Sequence, residues 1–167
     1  MNILRHSSWQ SKPRIALTIG DPAGIGAEII LKSLADHSLR TQDAEFTIFG
    51  DRRYLEENYQ LLKNLKTTNI QIADPADLEI FDIRIDGEIT LGVGNRESGA
   101  ASFAYLDQAI AQTLAGKFDA IVTAPIAKSA WKQAGHDYAG QTELLAERSH
   151  IDDFGMLFVG KSPHTDW

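Results

Sequence analysis

The 167-residue sequence contains no cysteine. That excludes disulfides, cysteine-zinc sites and thiol catalysis, and it suits a reducing cytoplasm. No run approaches the roughly 18 consecutive apolar residues of a membrane span. Positive charge is also scarce: 16 Lys and Arg stand against 23 Asp and Glu, a net charge of -7, which argues against a nucleic-acid-binding surface. The opening "MNILRHSSWQSKPR" lacks the apolar core of a secretion signal. Gly-x-Gly-x-x-Gly, the phosphate loop ending in Gly-Lys-Ser/Thr and the Gly-x-Ser-x-Gly nucleophile elbow are all missing. Of the histidines at 6, 37, 136, 150 and 164, no two have the i, i+4 spacing of a helical metal pair, so no metal ligand is assigned.

What is present is an alternation of strand and helix patterns. Residues 1–12 read as a flexible leader. "RIALTI" (14–19) reads as a strand, followed by a helix carrying Ile25, Ile29, Ile30 and Leu34. "EFTIF" (45–49) is a second strand, and Asp51 is a good N-cap for a helix with Leu55, Tyr59, Leu62 and Leu65 on one face. "NIQIA" and "LEIFDIRI" read as two short strands joined at Asp74-Pro75. The longest helix is predicted over 98–115, with Phe103, Leu106, Ile110 and Leu114 inward and Gly116 at C′. "DAIVTAP" reads as a strand buried on both faces, followed by short helices at 129–134 and 142–150. "GMLFV" (155–159) reads as a last strand, a protected edge or an incomplete part of the sheet. Such alternation predicts an α/β sheet with many parallel pairs.

Two stretches carry candidate chemistry. In "ALTIGDPAGIGAEI", Gly24 and Gly26 lie where a strand turns into a helix. Such a turn bares N–H groups that suit an anion, or simply lets helix and strand pack closely. In "VTAPIAKSAWKQAGHDYAGQTELLAER", Thr123 ends a strand, Lys128 follows within reach of a phosphate or carboxylate, and Gly140-Gln141-Thr142-Glu143 is a second glycine-to-helix junction. The plainer alternatives are a solvated Lys128 and an N-capping Thr142.

Taken in order, "IGDPAGIGAEI", "SGAASFAYLDQAI", "IVTAPIAK", "AGHDYAGQTELLAE" and "MLFVG" resemble the 4-hydroxythreonine-4-phosphate dehydrogenase family of pyridoxal 5′-phosphate (vitamin B6) biosynthesis. The resemblance implies an α/β/α layered, isocitrate/isopropylmalate dehydrogenase-like fold, with a mostly parallel mixed sheet that is incomplete in this chain. Residues 13–167 then correspond to the N-terminal half of a two-lobed homodimeric enzyme. It implies NAD or NADP, a divalent metal (zinc, magnesium or manganese) held by residues absent from this chain, and a small phosphorylated amino-acid substrate. The reaction implied is oxidation and decarboxylation of 4-phosphooxy-L-threonine to 3-amino-2-oxopropyl phosphate. Gln141 and Thr142 stand where the family has a substrate-binding His-Thr pair; glutamine can hydrogen-bond but cannot carry a proton charge near neutral pH. Ala27 replaces a usual proline. Gly24, Gly26, Thr123 and Lys128 are candidate phosphate or cleft contacts, and catalytic and cofactor-binding residues stay unassigned. The alternatives are a non-catalytic remnant or phosphate-binding module, a related dehydrogenase acting on another 4-phosphorylated hydroxy acid, and an acyl transferase of broadly similar fold.

Overall fold

The computed structural model describes residues 11–36, 44–65 and 71–159. The leader and His6, His37 and His164 lie outside these residues, apart from Ser11 and Lys12. The elements are β1 (Arg14–Thr18), α1 (Gly26–Ala35), β2 (Glu45–Gly50), α2 (Arg52–Asn64), a 3₁₀ turn (Pro75–Asp77), β3 (Ile80–Asp82), α3 (Arg96–Leu114), β4 (Ala120–Thr123), α4 (Lys128–Gln133) and α5 (Gln141–Ser149). The strands form one sheet in the order β3-β2-β1-β4. Every pair is parallel, so the described sheet is not mixed as expected.

Period-2 alternation along β1 sends side chains to both faces. Leu17 and Ile19 pack with Ile30, Leu31 and Leu34 of α1 and with Leu55 of α2, whereas Ala16 packs with Phe49 and with Ala109 of α3. Helices therefore cover both faces, giving the α/β/α layering. Burying each of these Leu and Ile side chains contributes about 1.5–3 kcal/mol. The inward face of α1 is Ala27, Ile30, Leu31 and Leu34. The expected stripe is rotated: Ile29 is exposed and Ile25, just before the helix, is 59% exposed, because the backbone of α1 enters hard against β1. Leu65 and Leu114 are likewise exposed rather than inward.

α3 starts two residues before the predicted Ser98. Asn95 Oδ1 accepts the Ser98 N–H at 2.8 Å while Ser98 Oγ accepts the Asn95 N–H at 3.0 Å, a reciprocal cap. Gly116 follows with φ +74°, as a C′ glycine should. α3 packs on α4 around Trp131, whose Nε1–H donates to Ser102 Oγ at 2.8 Å.

Three strand expectations fail, each for a hydrogen-bonding or packing reason. In "NIQIA", residues 69–70 lie outside the described residues and Gln71–Ala73 is not strand. The Ala73 N–H donates to the Leu31 carbonyl at the end of α1 instead of to a sheet neighbour. β4 is not buried on both faces; it is an edge strand, and Val122 is 53% exposed. "GMLFV" forms no strand: it has no ladder partner among the described residues and runs extended, with Phe158 87% exposed. An unpaired strand has nothing to satisfy its backbone, so no regular element forms there.

Candidate functional site

From β1 the chain passes through α1 to β2 on one side, while β4 lies on the other side of β1. The carboxyl ends of β1 and β4 therefore flank a topological switch point, where open α/β sheets bind ligands. The two connections there are stitched together. The Asp21 N–H donates to the Pro125 carbonyl at 3.0 Å and the Gly92 N–H to the Ala23 carbonyl at 2.7 Å. Gly20 has φ +67°, and a Cβ there would fall 2.2 Å from the Pro125 oxygen. A Cβ on Gly26 would fall 1.9 Å from the Ile19 oxygen. Only glycine permits either approach. Gly24 was expected to share this steric demand and does not. Its φ is not positive, and a Cβ there would meet only the Asp21 oxygen at 3.2 Å.

The turn's backbone donors are partly taken by the chain itself. Asp21 Oδ1 accepts the Ala23 N–H at 2.8 Å, and the Gly24 N–H donates to the Asp21 carbonyl at 2.8 Å. A cavity of about 560 Å³ opens beside it, lined by Asp21, Ile25, Asn58, Leu61, Leu91 and Ile126 among others. No lysine, arginine or histidine lines it. Sequence reasoning named Asp21 only as a turn-former. It missed Asn58 and Leu61, because an outward leucine on an amphipathic helix looks like ordinary surface.

The second junction lies on the far side of β4. Thr123 Oγ1 donates to Gln141 Oε1 at 3.1 Å, and Gln141 Nε2 donates to the Ala124 carbonyl at 3.3 Å, so the Gln141 amide is clamped to the end of the strand. Gly140, not Thr142, is the N-cap of α5, and no side chain caps it. Lys128 Nζ lies 3.6 Å and Glu143 Oε2 3.5 Å from where a Cβ on Gly140 would be. An ammonium thus stands beside an uncapped helix N-terminus, an arrangement that favours an anion. Thr142 faces elsewhere, into a hollow of about 270 Å³ shared with Leu145, Ser149 and Phe154. Thr123, Lys128, Gly140 and Gln141 come together; Thr142 lines a different wall, and Gly24 and Gly26 belong to the β1 turn.

The described histidines do not form a metal centre. His136 stacks on Phe103 with ring centroids 3.5 Å apart. Burial lowers its pKa, against the pull of Asp107. No group of three His, Cys, Asp or Glu that could hold a metal occurs among the described residues. These residues therefore do not fit the divalent metal implied above, and no step is derived through one. Nor is any helix among the described residues long and apolar enough to cross a membrane.

The layering and the switch-point cleft define an α/β chain of the isocitrate/isopropylmalate dehydrogenase type. In keeping with that, the crystal structure of a 4-hydroxythreonine-4-phosphate dehydrogenase from Burkholderia phymatum superposes with a TM-score of 0.74 at 30% identity, covering 86% of this chain and 45% of that one. Residues 42–164 match the family profile described as "Pyridoxal phosphate biosynthetic protein PdxA", and the chain belongs to that family. Proteins named 4-hydroxythreonine-4-phosphate dehydrogenase from Nostoc sp. and Synechocystis sp. are 55% and 50% identical to it over 160 and 159 residues. The matches cover 93% and 94% of this chain but 44% and 45% of those relatives, so the chain spans about half the length of the curated proteins it matches.

Proposed function

We propose that this chain supplies the N-terminal half of a cytoplasmic, homodimeric, NAD- or NADP-dependent dehydrogenase. Its reaction is the oxidation of 4-phosphooxy-L-threonine at the carbinol carbon, followed by loss of carbon dioxide to give 3-amino-2-oxopropyl phosphate. The observation that carries this reading is the clamped Thr123–Gln141 pair beside Lys128 and the uncapped start of α5, in a chain of this family. Lys128 and the first N–H groups of α5 hold an anionic group of the substrate, phosphate or carboxylate. Gln141, fixed by Thr123, offers hydrogen bonds at the place where the family motif has histidine, with Thr142 next to it on the substrate side. The nicotinamide, when bound, accepts the hydride. A divalent metal is part of the proposal through the family resemblance, with ligands outside the described residues.

The test pairs residues 1–167 with a separately expressed chain carrying the C-terminal half of the Nostoc relative, and follows NAD and NADP reduction with 4-phosphooxy-L-threonine. Turnover is expected from the pair and not from residues 1–167 alone with zinc, magnesium or manganese. Lys128→Ala in the paired enzyme is expected to lower kcat/KM about 100-fold, the scale of one lost charge-assisted contact of roughly 1.5–3 kcal/mol. Gln141→His is expected to raise activity on this substrate. A decrease with a gain on another 4-phosphorylated hydroxy acid would reassign the substrate. Substrate binding by the pair without turnover would favour a phosphate-binding module.

A further inference from the structure

The cavity between the β1 turn and the β4 connection is a different environment from the Lys128 corner. Asp21 is 4% exposed. One of its carboxylate oxygens is satisfied by Ala23, and among the described residues no donor is bonded to the other, Oδ2. That oxygen faces the bare Cα side of Gly94, 3.6 Å from where a Cβ would stand. A buried carboxylate with no cation beside it is costly, and the cost is met by a donor that arrives from outside. Around it the walls are apolar: Ile25, Leu61 and Leu91 are all substantially exposed to the cavity side and belong to no core cluster. The remaining polar groups also seek donors. Asn58 Nδ2 is committed to the Tyr54 carbonyl at 2.8 Å, leaving its amide oxygen as an acceptor, and Glu28 is an acid already paired with Lys32. Phosphate has no partner here and two carboxylates to repel it.

We infer that this cavity binds a nucleoside, its planar base against Ile25, Leu61 and Leu91 and its ribose diol donating to the Asp21 carboxylate. A volume of about 560 Å³ is ample for a nucleoside, within the roughly 300–1,000 Å³ of ordinary ligand pockets. A cis-diol is the neutral group that gives a carboxylate two donors at once. The nucleoside may come free or as part of a dinucleotide; the chemistry at Asp21 is shared, and the test separates the two.

Binding is measured by calorimetry on the full chain, without substrate or metal, using adenosine, 2′-deoxyadenosine, NAD and benzylamine. The expected result is saturable adenosine binding, weakened about tenfold or more for 2′-deoxyadenosine, since losing a hydrogen bond to a charged group has that scale. NAD tighter than adenosine identifies the dinucleotide as the source; adenosine equal or tighter identifies the free nucleoside. Asp21→Asn keeps the acceptor for the Ala23 N–H and should weaken adenosine by the same factor without changing the circular dichroism spectrum. Leu61→Glu, on an exposed position of α2, should weaken it too. Unchanged affinity in Asp21→Asn, equal binding of the deoxy compound, no adenosine binding, or benzylamine binding in its place would each overturn the inference. Because no turnover is read and Lys128 is untouched, the result does not depend on the proposed reaction.

Discussion

Two adjacent parallel strands, β1 and β2, each hand over to a helix through a buried aspartate, yet the two turns are held by opposite means. After β2, Asp51 is fully buried and every direction of its carboxylate is used. Oδ1 accepts the Arg53 N–H at 2.9 Å and Arg53 Nε at 3.0 Å, while Oδ2 accepts Arg53 Nη2 at 2.5 Å and the Ile85 N–H at 3.4 Å. After β1, backbone contacts hold the turn through Gly20 and Gly26, and Asp21 keeps one oxygen free. A carboxylate that is saturated is part of the fold. One that the fold does not need, buried beside an empty cavity, is available for a ligand.

Breaking the β1 turn therefore requires a methyl group rather than a charge change. Gly26→Ala places a carbon 1.9 Å from the Ile19 oxygen, and the backbone of β1 or α1 must move. We expect a loss of about 3 kcal/mol or more, the range of severe overpacking. Gly24→Ala, two residues away, should cost under about 1 kcal/mol, since nothing there clashes hard and φ is ordinary. Urea denaturation of both variants checks the pair. Equal losses would mean that the strand-to-helix contact at Gly26 is not what closes this turn.

The β2 turn should break at the carboxylate. Asp51→Ala removes the N-cap of α2 and strands the Ile85 N–H, for an expected loss of about 2–3 kcal/mol. Acid should reproduce part of that loss. Burial pushes the Asp51 carboxyl up, but hydrogen bonds from the Arg53 side chain and from the Arg53 and Ile85 N–H groups outweigh it, leaving the pKa below the ordinary 3.8. A carboxyl lowered on folding stabilises the native state above its unfolded pKa, and that contribution disappears as pH falls through the folded value. The urea midpoint should therefore fall below about pH 4, and Asp51→Asn should flatten that fall. A curve of the same depth in the variant would place the acid sensitivity elsewhere, with Asp119 next in line because the Arg14 N–H and side chain hold its pKa down.

The contrast also marks how far the sequence could be read. Asp51 as an N-cap, the helix ending at Gly116 and the strand-helix order were legible, because each depends on residues a few positions apart. The layered fold and the family followed from ordered motifs. What was not legible depended on neighbours distant in sequence. Ile25 and Leu61 look like core or surface residues until α1 and α2 bring them to one cavity. "DAIVTAP" and "GMLFV" have the composition of buried strands, but burial is decided by what lies beside them, and β4 is an edge. Gln141 and Thr142 are adjacent in sequence and were read as a pair, yet the helical turn sends one to Thr123 and the other to Phe154's side.

The smallest expected effect is the most informative about Asp21. Asp21→Asn retains an acceptor for the Ala23 N–H, leaves the Asp21 N–H on Pro125, and alters only the oxygen that the fold leaves free. Stability at pH 7 should change by no more than about 0.5 kcal/mol, and because an uncompensated buried carboxylate is unfavourable, neutralising it should not destabilise. The same substitution at Asp51 removes a charge from four donors and should cost visibly more, so the difference between the two asparagine variants measures how much of each carboxylate is committed to the fold. If Asp21→Asn instead lost as much as Asp51→Asn in the same urea series, the free oxygen would have a structural partner, and the two turns would be built alike.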